Sequence, residues 1–351
     1  MKVVFSRKQL DHYPKTFLSS GAPTSNPELP ARAERLLAAA LESGLEQKLP
    51  EDYGDEVIAA IHSPNYIKFL QDIYPRWSRI EGASEDVLPN VHPISREDAY
   101  PESAVGQVGY HVYDGSCPIS ADTWHSARWS AMTAAHAARR VISGDSACYA
   151  LSRPPGHHAS QDLAGGFCYI NNNAVAAQQL LAKFERVAIV DVDVHHGNGT
   201  QRIFYQRDDV LTVSIHADPI RFYPFFWGYA HELGSGQGKG YNINLPLPRG
   251  TKNLDFLKTL EKALNAVSVF SPDALVIALG LDAHEDDPFR GMSITTAGFG
   301  SIGKILATVG LPTVIVQEGG YLSDALGKNL SSFLDGFQAA HCCTAPTRIL
   351  S

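Results

Sequence analysis

Seven short runs of apolar, mostly β-branched residues punctuate the chain. They are KVVFS (2–6), ACYALS (147–152), RVAIVDVD (186–193), VLTVSIH (210–216), YNINLPL (241–247), ALVIALGLD (274–282) and TVIVQEGG (313–320). Between most of them the apolar positions change to helical spacing. ARAERLLAAALESGL (31–45) follows a proline, and the Ala-rich TWHSARWSAMTAAHAARRVISG (123–144) ends at a glycine. NNAVAAQQLLAKF (172–184), NLDFLKTLEKALNAVSVF (253–270) and TTAGFGSIGKILATVG (295–310) complete the set. Strands alternating with helices predict an α/β fold, an open, mainly parallel sheet flanked by helices. Continuous apolar runs such as ALVIALG fit strands buried on both faces.

Residues 75–122 break this pattern. They are rich in Pro, Gly and Ser and lack clear periodicity, yet they carry Trp77, Tyr100, Tyr110 and Tyr113. A long irregular segment with that many aromatic residues reads as an ordered excursion that covers a site or makes an oligomer contact.

Composition narrows the function. The 351 residues could hold one large domain or two ordinary ones, and 44% hydrophobic with 19% charged residues is a soluble, globular balance. A net charge of −8 argues against nucleic acid, whose phosphates need a basic surface. The start of the chain lacks the apolar core of a signal peptide, and no stretch is apolar for the roughly 18 residues of a membrane span. Five cysteines at scattered spacings, with no CxxC pair, are neither a disulfide framework nor a thiolate zinc site. A reducing cytoplasm is the expected location.

The chemistry sits where apolar runs end. Ligands in open parallel sheets lie beyond the carboxyl ends of the strands. In IVDVDVHHGNGTQ (189–201), alternation puts Asp191, Asp193 and His195 on one side and Val192 and Val194 on the other. Asp282 closes ALVIALGLD, Gly319 and Gly320 present Tyr321, and SRPPGHHAS (152–160) holds His157 and His158. Asp193, His195 and Asp282 are the set of a mononuclear metal hydrolase, two oxygens and one nitrogen with a position left for water. Zinc is favoured; two carboxylates also suit Fe(II) or Co(II). A metal explains why aspartates interrupt an apolar strand, since an unpaired buried carboxylate is too costly. Asp191 is a partner for one ring of the His157–His158 pair and Asn198 for the other, which would push the two pKa values apart. Tyr321 would donate a hydrogen bond to a developing oxyanion.

RPPGHHA…GGFCYINNNAVAA, AIVDVDVHHGNGTQ, VSIHADP, LGLDAHEDDP and VQEGGY resemble the histone-deacetylase superfamily, of arginase–deacetylase fold, over about residues 1–338. Within it the opening MKVVFS, the long 75–122 insertion, DTW at 122–124, HADP and FFWGYAHELGSG are most similar to bacterial acetylpolyamine amidohydrolases. The resemblance implies one deacetylase-like domain over 1–351, with the tail HCCTAPTRILS (341–351) beyond the likeness. It implies removal of acetyl groups from N-acetylated polyamines, and a homodimer made through the insertion. It assigns Asp193, His195 and Asp282 to the metal, His157 and His158 to proton transfer with His158 as base, and Tyr321 to the carbonyl. Phe167 and Tyr223 become tunnel walls, with Gly166 and Cys168 at the acetate end. Potassium would sit at Asp191, Asp193, His195, Ser214 and Ile215, and a second cation at Phe204, Arg207, Val210 and Tyr241.

Some members place glutamates in the insertion to hold a distal ammonium; Val105 and Ser116 stand there in this chain, with Glu102 and Asp114 as nearby acids. A broader or protein acetyl-lysine deacetylase on the same site is the alternative. A two-manganese ureohydrolase needs more aspartate-rich ligand sets, and a non-catalytic binding module would not need the full set of ligands, histidines and tyrosine.

Overall fold

The computed structural model describes residues 1–96 and 99–344, the side chains of 342–344 excepted. In chain order the strands are β1 (Lys2–Val4), β2 (Thr16–Ser19), β3 (Ala22–Ser25), β4 (Glu46–Lys48), β5 (Ala147–Ala150), β6 (Val187–Asp191), β7 (Val210–Ala217), β8 (Asn242–Leu247), β9 (Ala274–Leu279) and β10 (Thr313–Gln317). Eight of them form one parallel sheet in the order β4-β1-β5-β10-β9-β6-β7-β8, and β2 and β3 make a separate hairpin. The helices are α1 (Pro30–Glu42), α2 (Glu56–Ala59), α3 (Pro64–Trp77), α4 (Ala104–His111), α5 (Thr123–Ile142), α6 (Asn172–Leu180), α7 (Asn198–Phe204), α8 (Asn253–Phe270), α9 (Thr296–Ala307) and α10 (Leu326–Thr344). The chain thus has the expected α/β architecture, an open parallel sheet flanked by helices.

Both faces of the sheet are covered, which is why its strands read as unbroken apolar runs. Val276 on β9 and Val187 and Ile189 on β6 pack with residues of α3, α5 and α6 on one face. Leu275, Ile277 and Leu279 pack with α1, α8, α9 and α10 on the other. All seven predicted strands are present. The polar edge strand β4, Glu-Gln-Lys, carries no apolar signal and is held by parallel pairing to β1. In the β2–β3 turn, Ser20 and Gly21 both have positive φ, 50° and 81°, as a two-residue hairpin of type I′ requires.

The 75–122 excursion is less irregular than its composition suggested. Residues 75–77 finish α3, and Ser103 caps α4 by accepting a hydrogen bond from the Gly106 N–H. Val87 and Ile119 bridge the two ends of the segment. At the other end of the chain α10 carries the first residues of the 341–351 tail; residues 345–351 and the side chains of Cys342 and Cys343 lie outside the described residues.

The topology builds the site. β5 and β6 are consecutive in this sheet's chain order, yet β10 and β9 lie between them. Register sets their carboxyl ends side by side: Ala150 pairs with Val316, Val316 with Ala278, and Ala278 with Asp191. Four loops therefore leave one edge together, carrying His157–His158, Tyr321, Asp282 and Asp193–His195.

Candidate active site

The alternation of β6 continues past its last paired residue. Val192 and Val194 join Ala188 and Val190 in one apolar cluster, which leaves Asp191, Asp193 and His195 on the opposite side. Asp193 and His195 then meet Asp282 from the β9 loop: one ligand atom from each lies within 4.8 Å of the others. His195 Nδ1 is 3.2 Å from Asp193 Oδ1 and 3.2 Å from Asp282 Oδ2. Both aspartates are fully buried. Asp193 Oδ1 accepts from the His195 N–H at 2.9 Å and Oδ2 from the Gly319 N–H at 2.8 Å. Asp282 Oδ1 accepts from the Val194 N–H at 3.2 Å, but Asp282 Oδ2 has no well-directed hydrogen bond.

The balance of charge tests whether the residues fit a metal. Three buried carboxylates, Asp191, Asp193 and Asp282, face two histidines, His157 and His195, so the cluster stays short of positive charge. Burial and the charge of Asp193 hold the Asp282 carboxyl above its ordinary range. At Gly319 a Cβ would lie 2.1 Å from Asp282 Oδ2 and 2.6 Å from Asp193 Oδ2, so only glycine lets the carboxylates converge. Two hard oxygens and one imidazole suit a divalent ion such as zinc.

The two neighbouring histidines have different partners. His157 Nδ1 is 2.9 Å from Asp191 Oδ2, and His158 Nδ1 is 2.6 Å from Asn198 Oδ1. Burial opposes charge on His157, but Asp193 and Asp191 outweigh it and push the imidazole up to about 10. Burial, then the positive neighbours His157 and His195, hold His158 well below the usual histidine range. The pair is thus split into one charged and one neutral ring.

Tyr321 is buried, and that burial raises its phenol well above its ordinary pKa, so it stays protonated and able to donate. Its ring packs edge-on against Phe289 at 4.8 Å and Phe167 at 6.0 Å. Above these groups opens a cavity of about 470 Å³ that includes His157, His158, Asp193, His195 and Tyr321 in its lining. Gly166, Phe167 and Tyr223 line it too. Cys168 does not; it is fully buried behind them, with its thiol donating to the Gly166 carbonyl. Asp114 and Ser116 reach the cavity from the 75–122 excursion, whereas Glu102 and Val105 do not line it. A larger cleft of about 820 Å³ shares Tyr113, His158 and Trp227 with this cavity, but touches none of the three converging side chains.

Of the residues assigned to monovalent cations, Asp191 and Ser214 are register partners on β6 and β7, with Ile215 next in line. Phe204 and Arg207 share the turn before β7, where the Arg207 N–H donates to the Phe204 carbonyl, and Val210 opens that strand. The Tyr241 carbonyl accepts from the Thr212 N–H.

Several residues that shape the site gave no signal in the sequence reading. Glu318 accepts from the Gly156 N–H at 2.7 Å, the His157 N–H at 3.0 Å and Asn173 Nδ2 at 2.8 Å, so it clamps the double-histidine loop to the tyrosine loop. Burial pushes its carboxyl up to about 7. Arg32 donates to the carbonyls of Gly320 at 2.5 Å and Glu318 at 2.8 Å, and its guanidinium lies over the Tyr321 ring. Asp287 accepts from the Tyr321 N–H at 3.2 Å. Glu28 and Arg32 have the i,i+4 spacing of an ordinary exposed helix pair, and nothing in that spacing signals their burial.

Comparison with known proteins shows the family. Residues 26–337 match the histone deacetylase domain. The chain is 46% identical to the acetylpolyamine amidohydrolase of Burkholderia pseudomallei, over 97% of this chain and 99% of that protein. It is 39% identical to acetylpolyamine amidohydrolase 1 of Pseudomonas aeruginosa, again over 97% and 99%. A crystal structure of acetylpolyamine aminohydrolase from Burkholderia pseudomallei superposes with a TM-score of 0.94 at 45% identity, covering 97% of this chain and 99% of that one. On motifs, fold and whole-chain likeness together, the chain belongs to the histone deacetylase family, in its acetylpolyamine amidohydrolase branch.

Proposed function

We propose that the protein is a zinc-dependent amidohydrolase that removes the acetyl group from N-acetylated polyamines, releasing acetate and the free amine. The observation that carries this reading is the convergence of Asp193, His195 and Asp282 at the foot of an aromatic-walled cavity. Relatives named for acetylpolyamines, matched over nearly the whole chain, support the substrate class.

Bound by these three side chains, zinc would supply Lewis acidity to the attacking water and the amide carbonyl. Asn198 fixes Nδ1 of His158, which leaves Nε2 of a neutral ring to accept the proton of that water. Tyr321, protonated and buried, donates a hydrogen bond to the carbonyl oxygen as it gains charge. His157, kept cationic by Asp191 and Asp193, stabilises the developing negative charge and favours delivery of a proton to the departing amine. Phe167 and Tyr223 flank the methylene chain of the substrate, which gains by apolar burial.

The same likeness supports potassium at Asp191, Asp193, His195, Ser214 and Ile215, and a homodimer formed through the 75–122 excursion. The test is a panel of acetylputrescine, acetylcadaverine, acetylspermidine and an acetyl-lysine peptide. Turnover of the acetylated amines with little of the peptide is expected. Turnover of the peptide alone would shift the reading to a protein deacetylase, and inertness toward all four would refute deacetylation.

A further inference from the structure

We infer that the mouth of the cavity holds the far end of its substrate as an alkylammonium group against aromatic ring faces, and that Asp114 braces the wall instead of pairing with that cation. The inference deepens the deacetylase reading above and rests on it, since it names the head group of the same substrate.

Asp114 and Asp193 are the only carboxylates among the described residues lining the cavity. Asp193 belongs to the metal cluster at the foot. Asp114 is already occupied: its Oδ1 accepts from the Ser116 N–H at 2.9 Å and Ser116 Oγ at 2.8 Å, and its Oδ2 accepts from Tyr223 OH at 2.5 Å and the Gly166 N–H at 3.2 Å. A carboxylate offers about four acceptor positions, so none is left for an ammonium. Each bond instead fixes a piece of wall. Tyr223 is further tied to Tyr113 at 2.9 Å, and Tyr113 accepts from Asn198 Nδ2 at 3.3 Å. Asp114 is thus a positioning residue at the end of a chain that runs back to Asn198, the partner of His158.

What the mouth offers in place of an acid is aromatic surface. Tyr113 meets Trp227, Trp227 meets Phe226, Phe226 meets Phe225, and Phe225 meets Tyr223, with centroids 5.9, 5.8, 6.5 and 6.1 Å apart and each pair edge to face. Phe226 is 76% exposed and Phe225 48% in the single chain, apolar surface that a ligand can cover. The loop that presents them is rigidly held. The Gly228 N–H donates to Glu232 Oε2 at 2.9 Å, His216 Nε2 lies 2.8 Å from the Gly228 carbonyl, and Tyr229 OH donates to the Phe225 carbonyl at 2.7 Å. Phe225 itself has a φ of 61°, in the left-handed region that non-glycine residues avoid. Phe167 and Ser20, which also line the cavity, share that conformation. Strained backbone that tertiary contacts hold in place is a mark of functional walls. No lysine or arginine is among the lining residues, and the cationic His157 belongs to the foot with the other catalytic groups. Ring faces attract ammonium groups, quaternary ones included, without needing a hydrogen bond.

Three amides given to the zinc-loaded enzyme separate the two modes of recognition: N-acetylcadaverine, its trimethylammonium derivative, and the tert-butyl isostere of that derivative, which has the same shape and no charge. The trimethylammonium amide is expected to keep kcat/KM within about threefold of N-acetylcadaverine and to exceed its neutral isostere about tenfold. Trp227→Leu and Phe226→Leu should each shrink that charge preference by about threefold or more. Asp114→Asn should lower the charged and neutral amides by the same factor, to within about threefold, because it loosens Tyr223 for both. The inference is overturned if trimethylation reduces the amide to the level of its isostere while N-acetylcadaverine stays favoured. It is equally overturned if Asp114→Asn erases the charge preference, or if both aromatic variants leave it intact. Should none of the amides be hydrolysed, the deacetylase reading falls by itself. Calorimetric affinities of the same amides for the same proteins then decide recognition by the same ratios.

Discussion

Two clusters of buried charge lie beneath the catalytic loops, and they solve the same problem in opposite ways. In the first, the fully buried Glu28 faces two guanidiniums, Arg32 Nη1 at 2.7 Å and Arg153 Nε at 2.9 Å. In the second, three buried carboxylates, Asp191, Asp193 and Asp282, share two imidazoles: His157 lies against Asp191 and Asp193, and His195 against Asp193 and Asp282. Burial works against both sets of carboxylates. Arg153 and Arg32 overcome it and hold Glu28 below its ordinary range. Nothing overcomes it for Asp282, which is held above. The first cluster is balanced in charge within the chain, although Glu28 Oε2 too lacks a hydrogen bond, and it joins its loops: Arg153 leads into the double-histidine loop and donates to the carbonyls of Gln9 and His12, while Arg32 holds Glu318 and Gly320. The second is left short of positive charge. A charge deficit at full burial is what a bound cation would complete.

Removing a ligand from the open cluster has the largest expected effect. His195→Ala should lose the bound divalent ion and lower amide turnover by roughly four orders of magnitude, read as metal per chain by elemental analysis beside kcat. A retained stoichiometric ion would contradict the assignment. Tyr321→Phe leaves the cluster whole and removes one hydrogen bond to the oxyanion. It should cost about 10²–10³ in kcat with metal content unchanged; unaltered turnover would remove Tyr321 from the chemistry. In the balanced cluster the expected loss is of stability. Arg153→Met strips Glu28 of one of its two cations and should cost about 3–5 kcal/mol in denaturant unfolding. A cost under about 1 kcal/mol would show that Arg32 alone suffices.

The smallest effect is in protons. Burial disfavours charge on His195, but the hydrogen bond to Asp193 and the adjacent carboxylate of Asp282 win and push it up to about 9 in the metal-free protein. Below that pH the stripped site holds a proton that metal must displace. Zinc uptake at pH 7.5 should therefore release about one proton, and affinity should fall about tenfold for each pH unit lowered. Calorimetry in buffers of different ionisation enthalpy reads this directly. The balanced cluster needs no such exchange.

The sheet was legible because parallel strands buried on both faces write themselves as apolar runs. The site was legible where chemistry interrupts those runs: Asp191, Asp193 and His195 alternate with valines that the core claims. Helices α3 and α10 also carry a readable period, Tyr66, Phe69, Leu70, Ile73 and Leu326, Leu330, Phe333, Phe337, which the sequence analysis passed over. Other parts depend on tertiary placement. Glu28 and Arg32 look like a surface pair until α1 docks against the Tyr321 loop. Phe17 reaches the cavity from a short hairpin, and Phe289 from the loop after Asp282. Asp114 reads as a free acid until Ser116, Tyr223 and Gly166 fill its oxygens.

The open cluster can be tested by diffraction from crystals of the protein as purified, with data collected on both sides of the zinc absorption edge. One anomalous peak per chain is expected, at roughly 2.0–2.2 Å from oxygens of Asp193 and Asp282 and a ring nitrogen of His195. A peak elsewhere, two peaks at the site, or none in zinc-supplied protein would contradict the account.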